Sequence, residues 1–213
     1  MTGPRAADTT SGSAGRVIAG SARGIRLAAP GEGTRPLADR VKQTLFAILE
    51  PDLGGARVLD LFAGSGAGGI EALSRGAAGA VFVERDPGAV ATIRANLART
   101  HLGGEAVIVV QAEVGRWLAG ASGPVAGPYD IVLLDPPYDR PELLGQTLAA
   151  LGLGGLLGPR SVVVAKHFWK DEPPGQSGLL GSVRERRFGE TALTFYRPSG
   201  SSHRPAGPGE EDA

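Results

Sequence analysis

One short segment carries the residue types of an amine-binding site: Asp135, Pro136, Pro137 and Tyr138 follow one another directly. The two prolines remove backbone donors and stiffen the chain, so the Asp135 carboxylate and the Pro136 carbonyl remain as acceptors facing one small volume. Tyr138 adds an aromatic face on which a base can stack. The segment predicts a site for a planar base with an exocyclic NH2 group. A proline-stiffened surface loop is the simpler alternative.

A second candidate site is the glycine-rich turn 64–69, which joins an apolar run to a helical pattern. Gly64, Gly66 and Gly69 fit the G-x-G-x-x-G spacing, in which backbone amides approach a ligand without obstruction by a Cβ. Glu84 ends the next apolar run, about 20 residues further on, where a carboxylate can accept ribose hydroxyls. The pattern predicts a ligand that contains a ribose, and a plain tight turn is the alternative.

Asp60 helps to decide between two possible cofactors. It lies inside the apolar run before the turn, where a dinucleotide site usually carries apolar side chains. Its carboxylate can hold the ammonium of an amino-acid cofactor, which favours S-adenosylmethionine, while NAD remains the alternative. A sulfonium methyl group is already activated and needs no metal, and the chain's histidines, His101, His167 and His203, do not cluster. We therefore expect no metal site.

The elements that must position these residues follow from hydrophobic patterning. Five short apolar runs cover residues 57–62, 80–84, 106–110, 130–135 and 161–165, and helical patterns lie near 67–75, 87–100, 113–119 and 141–151. Continuous Val, Ile and Leu runs are typical of strands buried on both faces. Their alternation with helices predicts an α/β fold with a doubly wound, mostly parallel sheet. Two final runs, 182–188 and 191–196, predict a C-terminal antiparallel hairpin.

The N-terminal part predicts a separate basic unit, with a β-hairpin over 16–27 and a helix over 37–49. Residues 16–46 carry six basic side chains against two acidic ones; the basic residues are Arg16, Arg23, Arg26, Arg35, Arg40 and Lys42. Such a cluster can position RNA through phosphate contacts, and an ordinary solvated hairpin and helix is the alternative. Arg184, Arg186 and Arg187 lie near the terminal hairpin, where a solvated strand face explains them equally well.

Composition sets the remaining limits. The 213 residues contain 22 basic and 22 acidic side chains and no cysteine, which excludes disulfides and thiolate metal sites. No apolar run approaches the roughly 18 residues of a membrane span. We expect a cytoplasmic monomer that binds no membrane. Residues 1–15 and 198–213 are rich in Gly, Ser, Pro and Ala, and the composition predicts mobile tails there.

Taken together, the motifs resemble those of the RsmD family of bacterial 16S rRNA (guanine-N2)-methyltransferases over about residues 16–197. The segments that carry the resemblance are 16–20, 23–24, 34–36, 39–42, 45–46, 60–66, 71–76, 82–84, 135–138 and 189–196. The resemblance implies a class I, Rossmann-like methyltransferase domain over 55–197, preceded by an RNA-positioning extension over 16–54. It implies S-adenosylmethionine as cofactor. It also implies guanine 966 of 16S rRNA, within a small-subunit particle, as substrate.

The resemblance also assigns roles to individual residues. The turn residues Gly64, Ser65 and Gly66 would shape the cofactor loop, and Glu84 would hold the ribose. Glu113 falls where the family has Asp or Asn near the adenine amine. The segment 135–138 would hold the guanine.

The sequence departs from the family pattern after the fifth predicted strand. The family tends to have Glu followed by His there, whereas this chain has Lys166 and His167. We therefore expect no catalytic role for Lys166.

Three alternatives remain open at this point. A DNA methyltransferase that modifies adenine N6 or cytosine N4 shares the Asp-Pro-Pro-Tyr motif. A non-catalytic, cofactor-binding RNA chaperone would use the same turn, and an NAD-dependent dehydrogenase fits the glycine spacing alone.

Overall fold

The main sheet has eight strands in the order β5-β4-β3-β6-β7-β10-β9-β8, and a separate two-stranded sheet is formed by β1 and β2. The structure is a computed structural model that describes residues 13–31, 39–122 and 125–199. The strands are β1 (Ser13–Arg16), β2 (Arg26–Ala28), β3 (Arg57–Leu61), β4 (Gly79–Glu84), β5 (Val107–Gln111), β6 (Tyr129–Leu134), β7 (Leu157–Phe168), β8 (Gln176–Ser177), β9 (Leu180–Phe188) and β10 (Thr191–Pro198). The helices are α1 (Asp39–Leu53), α2 (Ala67–Ser74), α3 (Pro87–Thr100), α4 (Val114–Gly120) and α5 (Glu142–Gly152).

The predicted fold class is confirmed. Strands β5, β4, β3, β6 and β7 are parallel, and β10 and β9 add an antiparallel hairpin at one side. Because the chain leaves β3 toward β4 and later returns to β6 on the other side of β3, the strand order reverses at β3. In open α/β sheets, ligands bind beside such a reversal, at the carboxyl ends of the strands.

Two core clusters cover the two faces of the sheet. One contains Ile131, Val162 and Leu193 together with side chains of α1, α2 and α3. The other contains Val132 and Val163 together with side chains of α4 and α5. The apolar residues of the N-terminal extension belong to the first cluster, so the extension shares its core with the main sheet.

A buried carboxylate docks the extension onto α2. Glu71 is fully buried and accepts hydrogen bonds from the backbone amides of Ile18 at 2.7 Å and Ala19 at 3.0 Å. In the predicted hairpin over 16–27, the first strand was expected to cover residues 16–19, but β1 ends at Arg16, and the amides of Ile18 and Ala19 pair with Glu71 instead of a neighbouring strand. At Gly20, a Cβ would lie 1.7 Å from the Ser74 carbonyl oxygen, so only glycine permits this approach.

Other boundaries also differ from the sequence predictions. β1 begins at Ser13, inside the predicted tail 1–15, and β10 extends to Pro198, the first residue of the predicted tail 198–213. β7 continues past residue 165 to Phe168 because β10 pairs with it up to that position. The short strand β8 was not predicted. The rest of both predicted tails lies outside the described residues, apart from Ser199. None of the helices in the described ranges is long and apolar enough to cross a membrane.

Candidate active site

The carboxyl ends of the parallel strands bring most of the predicted site residues to one edge of the sheet. Asp60 lies in β3, Glu84 ends β4, and Asp135 directly follows β6. The Asp135 amide donates to the Leu61 carbonyl at 3.4 Å, which ties the end of β6 to the end of β3. Glu113 follows β5, the outermost strand on this side.

The glycine turn is held by two carboxylates. The Gly64 amide donates to Glu84 Oε2 at 2.9 Å, and the Gly69 amide donates to Asp60 Oδ2 at 2.8 Å. Gly64 and Gly66 both have positive φ, and Gly66 precedes α2 without a side-chain cap. A Cβ at Gly69 would lie 2.4 Å from a ring carbon of Phe82, so this glycine allows α2 to pack directly on the sheet. The Ser65 carbonyl accepts from Asn96 Nδ2 at 2.9 Å, which fixes the middle of the turn.

Asp60 is the most perturbed acid of the site. Its side chain is buried, with 4% of the residue exposed. The pKa of Asp60 is raised to about 7: burial is the largest cause, the Gly69 hydrogen bond opposes it, and the charges of Asp135 and Glu84 add to the rise. A cation beside Asp60 would favour its ionised form, so the site matches a ligand that carries an ammonium group.

Glu84 is fixed by three backbone donors. Besides the Gly64 amide, the amides of Arg85 and Asp86 donate to Oε1 at 2.8 and 2.9 Å. A carboxylate oxygen has more than one lone pair, so both oxygens can still accept hydroxyl groups of a ribose.

Glu113 has a structural role that the sequence analysis did not foresee. Its two oxygens accept from the amides of Gly115 at 3.1 Å and Arg116 at 2.8 Å, so the side chain caps α4. These two hydrogen bonds, the Arg116 bond first, lower the pKa of Glu113. The cap holds an ionised carboxylate at the end of β5.

The predicted amine site is a loop with a half-exposed carboxylate and an exposed aromatic ring. Asp135 has 43% of its side chain exposed, and Tyr138 is 40% exposed. The Tyr138 hydroxyl lies 3.3 Å from the Thr191 hydroxyl, at the start of β10. Pro136, Pro137 and Tyr138 line a cavity of about 300 Å³, which Lys166 and His167 also line.

Lys166 contacts both proposed substrate-holding groups. Its Nζ donates to Asp135 Oδ1 at 2.5 Å and lies 4.9 Å from the centre of the Tyr138 ring. Burial lowers the pKa of Lys166, but the charge and hydrogen bond of Asp135 outweigh this effect, and the net shift is upward. Lys166 is therefore a cation that holds one oxygen of Asp135.

Strand register explains this contact. Leu134 and Ala165 are partners in neighbouring parallel strands, so the next residues, Asp135 and Lys166, emerge side by side. Lys166 was expected to have no catalytic role because it departs from the family pattern, and Thr191 was not predicted as a site residue.

Comparisons with known proteins show to which family the chain belongs. A family model described as "Conserved hypothetical protein 95" matches residues 15–197. Ribosomal RNA small subunit methyltransferase D of Escherichia coli K12 is 36% identical over 183 residues, which are 85% of this chain and 89% of that protein. The chain belongs to the RsmD family.

Two further comparisons agree with this assignment. The putative rRNA methyltransferase YlbH of Bacillus subtilis is 38% identical over 186 residues, 87% of this chain and 100% of that protein. The solved structure of the putative methyltransferase yhhF from Escherichia coli superposes with a TM-score of 0.77 at 34% identity, covering 88% of this chain and 99% of the other. The fold is the Rossmann-like methyltransferase fold.

The basic residues of this RsmD-family chain divide into two groups. Arg23 and Arg40 are exposed, and Arg16 is exposed while forming an ion pair of 3.1 Å with Asp39. The prediction that Lys42 contacts RNA is wrong. Its side chain is 1% exposed.

Lys42 has a structural role instead. Its Nζ donates to the Arg16 carbonyl and lies 3.7 Å from Glu71, so it belongs to the docking of the extension. Burial, opposed by the charge of Glu71, lowers the pKa of Lys42. Arg35 lies outside the described residues. Within the described ranges, no cluster of three or more His, Cys, Asp or Glu side chains is arranged to hold a metal ion.

Asp60 should give the folded protein a measurable pH dependence. The carboxyl titrates near 3.8 when unfolded and near 7 when folded, so between these values the folded state keeps a proton that the unfolded state has lost. Stability should therefore fall as the pH rises from about 4 to about 7, by about 1.4 kcal/mol for each unit of pKa difference. Asp60→Asn should remove this fall, as measured by urea unfolding at several pH values. Asp139→Asn, at an exposed aspartate, is the matched control. Parallel profiles for Asp60→Asn and the wild type would contradict the assignment.

Proposed function

We propose that the chain transfers the methyl group of S-adenosylmethionine to the exocyclic N2 of a guanine in small-subunit (16S) rRNA. The observation that carries this proposal is the placement of Asp135 and Tyr138 at the same sheet edge as the carboxylate-held glycine turn. Relatives that are 36% and 38% identical over most of the chain are named rRNA methyltransferases, which supports RNA as the substrate. The family resemblance supplies guanine as the base.

The cofactor site fits S-adenosylmethionine by its chemistry. The buried Asp60 would hold the ammonium group, and Glu84 would accept the ribose hydroxyls. Glu113 would accept from the adenine amine, and the turn Gly64, Ser65 and Gly66 would line the space between them. When bound, the cofactor supplies a methyl group that is already activated by its sulfonium. The chain's own task is to place the amine nitrogen in line with it, because orientation can supply several kcal/mol of the barrier.

The residues at 135–138 would make the amine nucleophilic. The lone pair of the guanine amine is delocalised into the ring, and acceptors on both N–H bonds would pull the nitrogen toward tetrahedral geometry. Asp135 Oδ2 and the Pro136 carbonyl would accept these bonds, with the base stacked on Tyr138. Pro137 restricts the loop. After transfer, the methylated nitrogen loses one proton, which Asp135 can accept.

Lys166 would act as a positioning residue for Asp135. Its raised pKa keeps the ammonium protonated near neutral pH, so it cannot take the proton from the amine. Because it binds Oδ1, it leaves Oδ2 free for the substrate.

The division of the chain is part of the proposal. The extension 16–54 would position rRNA through Arg16, Arg23, Arg35 and Arg40, while 55–197 would carry the reaction. Binding would occur on a small-subunit particle, in the cytoplasm and as a monomer.

Asp135→Asn should abolish most methyl transfer while folding and cofactor binding persist. The substitution keeps the size of the side chain but removes the charge that accepts the amine proton, and such contributions are typically about 10²- to 10⁴-fold. Single-turnover transfer to unmethylated small-subunit particles measures the rate, and calorimetry with S-adenosylmethionine measures binding. Asp139→Asn removes a neighbouring exposed carboxylate and should behave as the wild type. A near-normal rate for Asp135→Asn would remove Asp135 from the reaction.

Lys166→Met should slow transfer by at least about 10-fold at saturating cofactor and particle, because small displacements of a reacting group are costly. Affinity for S-adenosylmethionine should change little. Lys166→Arg should recover much of the rate, since it restores a cationic donor, whereas a merely structural role would not require the charge. Lys170→Met, at an exposed lysine nearby, is the control. Equal rates for Lys166→Met and the wild type would show that Asp135 does not depend on Lys166.

A further inference from the structure

The outer part of the C-terminal hairpin has an exposed face that the proposed reaction does not use. In β9, all six residues from Ser182 to Arg187 are exposed. The short strand β8 pairs only with Leu180 and Gly181, so beyond Ser182 the outer edge of β9 has no strand partner among the described residues. This part of β9 is therefore open to a partner.

Strand register places two arginines on one face. Arg184 is the partner of Phe195, and Arg186 is the partner of Leu193. Directly opposite residues of an antiparallel pair share a face. Phe195 and Leu193 both belong to the first core cluster, so both arginines lie on the sheet face that also carries Asp60 and Leu133.

On that face the charged side chains among the paired residues are all basic, one on β7 and two on β9, while β10 contributes uncharged residues. The paired residues on it are Val164, Lys166, Phe168, Thr191, Leu193, Phe195, Arg184, Arg186 and Phe188, and none is acidic. Glu185 is the partner of Thr194 and lies on the opposite face. Arg187 is also on the opposite face, where its guanidinium lies 3.5 Å from the Trp169 ring centre. No ion pair between Arg184 or Arg186 and a carboxylate occurs within the described ranges.

The face that carries Arg184 and Arg186 extends to the proposed base site. Phe188 is the partner of Thr191, whose hydroxyl lies 3.3 Å from that of Tyr138. A strand rises about 3.4 Å per residue, so Arg186 and Arg184 lie about 7 and 14 Å along β9 from Phe188. Two cations at this spacing, beginning next to the target base, match successive phosphates of the same RNA strand.

We propose that Arg184 and Arg186, which we call the β9 arginine pair, bind phosphates of the rRNA that flanks the target nucleotide. The proposal rests on the proposed function, since it takes rRNA as the substrate. Guanidinium groups bind phosphate by paired, charge-assisted hydrogen bonds. These contacts position the RNA without reading its sequence. They lie on the opposite side of the catalytic edge from the glycine turn.

A different role for the same residues is protection of an open sheet edge, because charges there block pairing with other chains. Charge reversal separates the two roles. Arg184→Glu with Arg186→Glu keeps the edge charged but repels phosphate. The control is Arg94→Glu with Arg160→Glu, which makes the same change in net charge at exposed arginines on α3 and at the amino end of β7.

The experiment measures binding of full-length protein to unmethylated small-subunit particles from about 50 to about 200 mM salt. We expect the double variant Arg184→Glu with Arg186→Glu, called the β9 reversal, to weaken binding at least 10-fold at the lower salt. The slope of log affinity against log salt should become shallower by about 1.4 to 1.8, the value for two phosphate contacts. Calorimetric affinity for S-adenosylmethionine and the unfolding temperature should match the control.

The outcomes distinguish the two proposals. If the wild type methylates the particle and the β9 reversal binds like the control, the proposal that the β9 arginine pair binds phosphate is overturned, while the proposed function stands. A loss of affinity with an unchanged salt slope would also overturn it, since the contact would then be with a group other than phosphate, such as a ribosomal protein. If the wild type neither binds nor methylates the particle, the proposed function fails first.

Discussion

The site depends on two carboxylates that accept backbone amides of the glycine turn. Asp60 receives the Gly69 amide and Glu84 receives the Gly64 amide, so the turn is fixed to the ends of β3 and β4. A turn of this kind has few side chains of its own to hold it in place. The same carboxylates are the groups that would contact the cofactor, so their positions serve the fold and the site together.

The electrostatics of the edge follow from this arrangement. Asp60, Glu84 and Asp135 come close enough that the charges of the latter two raise the pKa of Asp60. Such a cluster favours a cationic ligand, and S-adenosylmethionine carries both an ammonium and a sulfonium. Lys166 offsets one of the three charges at Asp135. The family resemblance implies Glu at this position, whereas this chain has the base Lys166 beside Asp135.

Local patterns predicted much of the fold. The apolar runs and the glycine turn are continuous in sequence, and they gave the parallel strands and the position of the turn. Contacts between distant segments were harder to predict. In the sequence, Lys42 resembles the exposed cations around it, and only the structure shows that its side chain is buried beside Glu71 of α2. The sequence predicts a strand at residues 16–19 because nothing in that segment shows that its amides donate hydrogen bonds to Glu71.

In the candidate site, too, features within one segment could be predicted, whereas contacts between distant segments could not. Residues 135–138 and 60–69 each form one continuous segment, so the sequence alone predicts them as candidate site residues. The link between Asp135 and Lys166 joins two strands and becomes visible only through their register. The placement of Arg184 and Arg186 on one face likewise required the pairing of β9 with β10.

The central claim is that the methyl group reaches the N2 atom of a guanine in small-subunit rRNA. The most direct measurement is nucleoside mass spectrometry of rRNA from unmethylated small-subunit particles after incubation with the purified protein and S-adenosylmethionine. The account predicts N2-methylguanosine, at one nucleotide per particle. Methyl on adenine N6 or cytosine N4, or no methyl in rRNA when the cofactor is bound, would contradict it.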